Sequence, residues 1–401
     1  MQKKHTYIDL FAGCGGLSLG LSNAGWKGLF AIEKSPDAFS TLEYNLIDKR
    51  SHFAWPKWLP IKSHNIDHVL SQHNDKLRNL KGTIDLIAGG PPCQGFSLAG
   101  RRKEDDFRNH LIHSYIKFVS LVEPTFIFFE NVKGFTLSFG NNAEKGKNYS
   151  EYVINKLNKL GYHVHGKLID FSEFGIPQKR TRFILIGVKK EFDSSAKIAE
   201  SFFSKIRKNR YRLLSLKGLS TEVTLEDAIS DLLEVHGTAI CPDSKDFKSG
   251  LYSKANSSYQ RYLRCRRHKH TIPDSHRLVN HSQKIKDRFQ YAIDNKMGPK
   301  EYQRHFNLRK SGTKKVLRDE PTSTLTTLPD DYIHYQEPRV FTVREFARIQ
   351  SFPDWYEFKG RYTTGGKMRT KQTPRYTQIG NAIPPLFAEI AGFSLKEMAD
   401  V

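Results

Sequence analysis

The chain has 401 residues, 38% hydrophobic and 26% charged, the balance of a soluble globular protein with one large domain or two ordinary ones. Its net charge is +22, and residues 201–318 hold 26 basic against 11 acidic side chains, which suits either a solvated basic face or a polyanion-binding surface. No apolar run reaches the ~18 residues of a membrane span, no signal-peptide core follows the first basic residues, and four irregularly spaced cysteines make no disulfide framework, so a reducing cytoplasm is expected.

Short apolar runs rich in strand formers occur at 7–11, 28–33, 84–88, 126–132 and 182–188. Helical patterns lie between most of them, such as LSLGLSNAG after the first and NHLIHSYIKFVSLV before the fourth. This alternation predicts a mostly parallel sheet covered on both faces, with ligands beyond the carboxyl ends of its strands. From about 191 to 335 the chain reads as basic, polar and irregular, KIRKNRYR and RYLRCRRHKHT being its most charged pieces. TVREFARIQSFP then predicts a helix ended by Pro353, and QIGNAIPPLFAEIAGFSLKEMA a turn followed by a last helix. The expected layout is a nucleotide-binding fold, an inserted basic domain and a return to the first.

Chemistry-bearing residues follow the strands. DLFAGCGG, Asp9 to Gly16, is a glycine-rich turn where backbone can approach a ligand closely. A dinucleotide fingerprint would need glycine where Ser18 stands, so the turn together with Glu33 suits an adenosine-containing cofactor more generally. Cys93, in GGPPCQGFS, leaves the third strand on a rigid loop. A free cysteine is most often a small core hydrophobe, yet this position favours a reactive thiol. Glu130, in ENV, is an acid at a strand end, where it must be paired or used. Arg180 and Arg182, in QKRTR, are alternate residues of an extended segment and are expected on one side of it.

Taken together and in this order, DLFAGCGG, GGPPCQGFS, ENV, QKRTRFILIG, RVFTVREFARIQSFPDWYEF and QIGNAIPP resemble the motifs of the DNA (cytosine-5)-methyltransferases of bacterial type II restriction–modification systems, over nearly the whole chain. The resemblance implies an α/β fold, a Rossmann-like S-adenosylmethionine-dependent methyltransferase sheet with an inserted, smaller basic target-recognition domain. It places the catalytic and cofactor-binding domain at 1–190, target recognition at 191–370 and the returning segment at 371–401. It implies a thiolate attack by Cys93 on cytosine C6, with Glu130 at N3 and Arg182, with Arg180 nearby, at the O2 side. S-adenosyl-L-methionine would be the methyl donor, leaving S-adenosyl-L-homocysteine. The cofactor would be held by Phe11, Gly13, Gly15 and Gly16, by Glu33 at the ribose, by Pro92 beside the sulfonium and by Asn381. Where the family commonly has an aspartate for the adenine amino group, this chain has Asn65, with Asp67 as the other candidate. A thiol cannot reach C6 within a stacked duplex, so base flipping is also implied.

Residues 98–111 would correspond to a lid that closes over DNA, although a solvated charged loop would read alike. Cys265, His268 and His270 match no common zinc spacing, and no metal is expected. The expected partner is double-stranded DNA, with a possible functional pairing to a restriction endonuclease of the same specificity, no membrane contact and a monomeric state. The rivals are a transfer-RNA cytosine-5 methyltransferase, whose relatives carry a CFT tripeptide absent here, and an inactive DNA-binding relative.

Overall fold

A computed structural model describes residues 4–92, 110–137, 149–265, 271–308, 313–365, 368 and 371–400. It forms two compact units, one of Met1–Asp170, Thr181–Arg212 and Phe387–Val401, the other of Phe171–Arg180 and Leu213–Leu386.

The strands in chain order are β1 (Thr6–Leu10), β2 (Lys27–Ile32), β3 (Leu86–Gly89), β4 (Phe126–Val132), β5 (Tyr162–Asp170), β6 (Gln178–Lys179), which belongs to the second unit, and β7 (Thr181–Lys189). The first unit is built on a six-stranded sheet of order β2-β1-β3-β4-β7-β5. β1, β2, β3 and β4 pair in parallel, while β7 runs antiparallel to both β4 and β5. Each expected strand is present. β5, YHVHGKLID, was not anticipated, because at the sheet edge it stays half exposed and carries His, Gly and Lys instead of an apolar run.

The unit's helices are α1 (Gly16–Asn23), α2 (Pro36–Leu42), α3 (Ile66–Gln72), α4 (Asn74–Arg78), α5 (His110–Val122), α6 (Tyr149–Lys159) and α7 (Lys197–Leu216), whose last turn crosses into the second unit. Alternation along β4 sends neighbouring rings to opposite faces. Phe129 meets Tyr115 of α5, and Phe128 meets Phe202 of α7. The sheet is thus sandwiched, as a continuous apolar strand requires. The region expected to be irregular begins with α7, a 20-residue helix whose Ala199, Phe202, Phe203 and Ile206 are buried at helical spacing within a basic background.

In the second unit lie α8 (Leu225–Ile229), α9 (Ser258–Arg264), α10 (Gln283–Asp294), α11 (Pro299–His305), α12 (Val343–Ile349) and α13 (Arg375–Asn381); α14 (Pro385–Ala399) returns to the first unit from Phe387 onward. QIGN, expected as a turn, is the end of α13. Gly380 serves packing there, since a Cβ would stand 2.3 Å from the Thr326 carbonyl oxygen. α12 is buried throughout and starts with a capping box between Thr342 and Glu345. Its charged residues are paired. Arg348 grips Asp354 with Nε to Oδ1 at 2.9 Å and Nη2 to Oδ2 at 2.7 Å, and also bonds Asp231. Arg339 forks onto Glu345 at 2.8 and 2.7 Å. Removing one member of such a pair strands the other in low dielectric.

Candidate active site

The end of β3 explains the doubled glycine of GGPP. Gly89 pairs with Leu10 on one side and Phe129 on the other. Its φ is +132°, and a Cβ would fall 1.9 Å from the Leu10 carbonyl oxygen. At Gly90 a Cβ would fall 2.0 Å from the Glu130 carbonyl oxygen. Only glycine lets three strand ends converge this closely. The Asn131 side-chain amide then donates to the Pro91 carbonyl at 3.3 Å, so the root of the loop is held against β4. Sequence reading missed Asn131, although its place after the acid of ENV was the available signal. Pro92 follows with its ring exposed. Cys93 and residues 98–109 of the expected lid lie outside the described residues.

On the same strand end, Arg182 Nε stands 3.0 Å from Glu130 Oε1, with both side chains largely buried, 12% and 16% exposed. Register explains the pairing, because Glu130 and Arg182 lie near the ends of the antiparallel β4–β7 ladder. Burial pulls the Arg182 guanidinium below its usual range, and the Glu130 charge acts against that pull. Arg180 has other partners. It is buried in the second unit and donates to the carbonyls of Leu325 at 3.3 Å and Gly380 at 2.9 Å. Arg180 falls between β6 and β7, where the extended segment is interrupted, whereas Arg182 lies on β7 itself.

The turn after β1 is held by Glu33, which follows β2. Glu33 Oε2 accepts from the Gly13 N–H at 2.9 Å and Oε1 from the Ser35 N–H at 2.7 Å. Phe11, Gly13 and Gly15 have φ of +60°, +56° and +88°, and Gly16 begins α1. A Cβ on Gly13 would meet nothing within 4 Å, so the turn faces open space on that side. Beneath it, Asp9 is fully buried, accepts from Ser18 Oγ at 2.5 Å and has no hydrogen-bond partner for Oδ1 among the described residues. Burial pushes its carboxyl up to about 7. Ser18, absent from a dinucleotide fingerprint, is thus the support for this acid. Burial also pushes the Cys14 thiol up to about 12, which keeps it inert.

The Glu33 carbonyl accepts from the His64 N–H at 2.7 Å, which brings Asn65 beside the end of β2. Asn65 caps α3, its Oδ1 accepting from the Asp67 N–H at 2.8 Å. Asp67 is drawn towards α5, accepting from Ser114 Oγ at 2.5 Å with His110 Nε2 at 3.2 Å. Asn381, exposed, ends α13 in the second unit. No cluster of metal-ligating side chains occurs among the described residues.

An open glycine turn beside a carboxylate whose remaining lone pairs can accept hydrogen bonds fits a ligand that carries a sugar diol. Comparison with known proteins gives the family. The model of the C-5 cytosine-specific DNA methylases matches residues 5–397. The type II methyltransferase M.DdeI of Desulfomicrobium norvegicum is 32% identical over 95% of this chain and 86% of its own length. M.XorII of Xanthomonas oryzae is 30% identical over 96% and 83%. A solved E. coli prophage protein described as a DNA modification methyltransferase superposes with a TM-score of 0.69 at 25% identity, covering 99% of this chain and 100% of its own. The Entamoeba histolytica methyltransferase EhMeth, at 14% identity and a TM-score of 0.56, covers 99% of both chains and shares the fold. From strand order, strand-end residues and full-length likeness together, the chain belongs to the C-5 cytosine-specific DNA methylases and is a DNA cytosine-5 methyltransferase.

Proposed function

We propose that this enzyme methylates a flipped-out cytosine through a transient bond between Cys93 and C6, with S-adenosyl-L-methionine as donor. The observation that carries the reading is the anchoring of the Gly90–Pro91 root against Glu130 and Asn131, beside the Glu130–Arg182 pair. Of the described cysteines, Cys14 and Cys241 are buried with thiols pushed up by burial, while Cys265 is exposed and belongs to the second unit.

Cytosine C5 is a poor nucleophile because it belongs to an aromatic ring. Thiolate attack at C6 turns C5 enamine-like, and Glu130 at N3 with Arg182 on the O2 side takes up the charge that develops. The Glu130–Arg182 contact keeps both groups oriented before the base arrives, so little reorganisation is needed at reaction. Methylated C5 then loses its proton, and the C6–thiol bond breaks. Extruding the base costs a few kcal/mol.

The donor supplies an electrophilic methyl group. Phe11, Gly13, Gly15 and Gly16 would hold it, with Glu33 accepting from the ribose hydroxyls through the lone pairs its backbone bonds leave open. Asn65 would face the adenine, Pro92 the sulfonium, and Asn381 would complete the set. We assign target recognition to 191–370, lid closure to 98–111 and the catalytic return to 371–401. A cytoplasmic monomer that protects host DNA alongside a restriction endonuclease completes the reading.

The test is nucleoside mass spectrometry on unmethylated DNA incubated with S-adenosyl-L-methionine and either the parent protein or Cys93→Ala. 5-Methyldeoxycytidine from the parent alone is expected. Methylation of transfer RNA instead of DNA would overturn the substrate, and product from Cys93→Ala would overturn the nucleophile.

A further inference from the structure

The piece KIRKNRYR, inside the span assigned above to target recognition, lies on α7, which belongs to the first unit as far as Arg212 and carries six basic residues against one acidic, Glu200. One side of the helix is committed to the fold. Beyond Ile206, Asn209 is buried, and its amide donates to Ser394 Oγ at 3.0 Å and Glu397 Oε2 at 2.7 Å of α14. Arg212 is drawn the same way, to Glu397 Oε1 at 3.2 Å and over the Phe393 ring. The opposite side is different. Ser204, Arg207, Lys208 and Tyr211 follow at helical spacing on one exposed face. Arg207 and Lys208 have no ion-pair partner among the described residues, since Glu397 is taken by Asn209 and Arg212 and Glu200 faces His165 at 3.9 Å. Tyr211 is 57% exposed, its hydroxyl accepting from Arg210 Nη2 at 2.7 Å while the Arg210 guanidinium lies over its ring.

We propose that this outer face of α7 is an accessory contact for the phosphate backbone of duplex DNA, carried by Arg207 and Lys208 with Tyr211 between them. It rests on DNA being the substrate and adds a sequence-independent foothold to it. Two unneutralised cations on a helix pinned by buried hydrogen bonds present fixed charge to a polyanion without ordering a loop first. Each phosphate so neutralised releases condensed counterions, and the signature of that release is the dependence of affinity on salt.

The experiment measures binding of the full-length protein to a fluorescent duplex of scrambled sequence between 50 and 200 mM KCl. Arg207→Gln/Lys208→Gln is compared with the parent and with Lys76→Gln/Lys117→Gln. The last pair removes the same charge from exposed positions on α4 and α5, and α5 covers the other face of the sheet. Removing two contacts makes the log–log slope shallower by about 1.8, so the parent loses roughly tenfold more affinity than the variant over this range. An unchanged slope, or an equal fall in the control pair, overturns the proposal by leaving only net charge at work. A fall seen on duplex RNA and not on DNA overturns the choice of partner. Methylation is scored separately on the parent. Absence of 5-methyldeoxycytidine sinks the functional reading, whereas the slope alone decides the surface.

Discussion

Arg182 Nε and Glu130 Oε1 sit 3.0 Å apart at the end of the antiparallel β4–β7 ladder, close to where Gly90 passes the Glu130 carbonyl. The pair holds the carboxylate proposed to meet N3 at the strand end that the Gly90 backbone packs against. Glu130→Gln keeps the shape and removes the charge, so kcat should fall by about 10²–10³, as for loss of one transition-state hydrogen-bonding group. Glu130→Ala should in addition lower stability by about 3–5 kcal/mol, since it leaves Arg182 buried without this carboxylate. Single-turnover methylation and urea unfolding of the two variants separate these effects. Equal kcat in parent and Glu130→Gln would end the assignment.

The glycine pair makes a steric prediction. Gly89→Ala and Gly90→Ala each place a methyl group about 2 Å from a strand carbonyl, the Leu10 oxygen or the Glu130 oxygen. Overpacking of this kind costs about 1–3 kcal/mol, and at Gly89 the positive φ adds strain. Gly13→Ala has open space around its Cβ and meets only the φ penalty, so it should fold better than either. Thermal unfolding of the three variants checks the ranking.

Asp9 predicts an unusual pH effect in the first unit. Its folded pKa, about 7, lies above the unfolded value of 3.8, so folding favours the protonated form. Its contribution is fully present below about pH 4 and is lost as pH rises through 7, amounting to roughly 2–4 kcal/mol. Asp9→Asn should therefore be more stable than the parent at pH 8. Urea titrations at pH 5 and pH 8 are the measurements. A parent that is the more stable of the two at pH 8 would refute the account.

The second unit carries the opposite dependence. His276 donates from Nε2 to the Leu232 carbonyl at 2.8 Å, and its Nδ1 shares a hydrogen bond of 2.8 Å with the Thr342 hydroxyl. His334 accepts at Nδ1 from the N–H groups of Gln336 and Glu337. Burial lowers their pKa values to about 4 and about 3, against 6.5 when unfolded. A depressed value means stability that is complete above pH 6.5 and lost as pH falls through about 4 for His276 and about 3 for His334, roughly 3 and 5 kcal/mol respectively. His276→Gln should weaken the unit at pH 7.5 yet flatten its decline towards pH 4. Histidine C2–H shifts by NMR report the titrations directly.

Much of this was legible in the chain because buried strands announce themselves. FIFFENV is β4 from end to end, and the glycine-rich turn and the strand-end acids fall where an α/β sheet puts its ligands. What stayed hidden depended on contacts distant in sequence. β5 carries no apolar run because an edge strand needs none. α7 was masked by its charges, although Phe202, Phe203 and Ile206 kept helical spacing beneath them. The partners of Arg180, the carbonyls of Leu325 and Gly380, are distant in sequence, and no local pattern foretells them. The bond from the Asn131 amide to the Pro91 carbonyl joins residues 40 apart and is equally invisible to local pattern.

The seam between the ends of the first unit sets an order of events. Trp26 Nε1 donates to the Gly392 carbonyl at 2.8 Å, and His5 Nε2 meets Asp400 Oδ1 at 2.8 Å, across separations of 366 and 395 residues. A ribosome adding ~5–20 residues per second exposes the β1–β4 core well before α14 exists to cover Trp26. Until residue 400 has emerged, that unit lacks one wall, and its sheet waits on the whole of the second unit being made. An unfinished chain is thus kept from the completed fold, and a message cut short yields a protein with an open flank for proteases and chaperones to recognise.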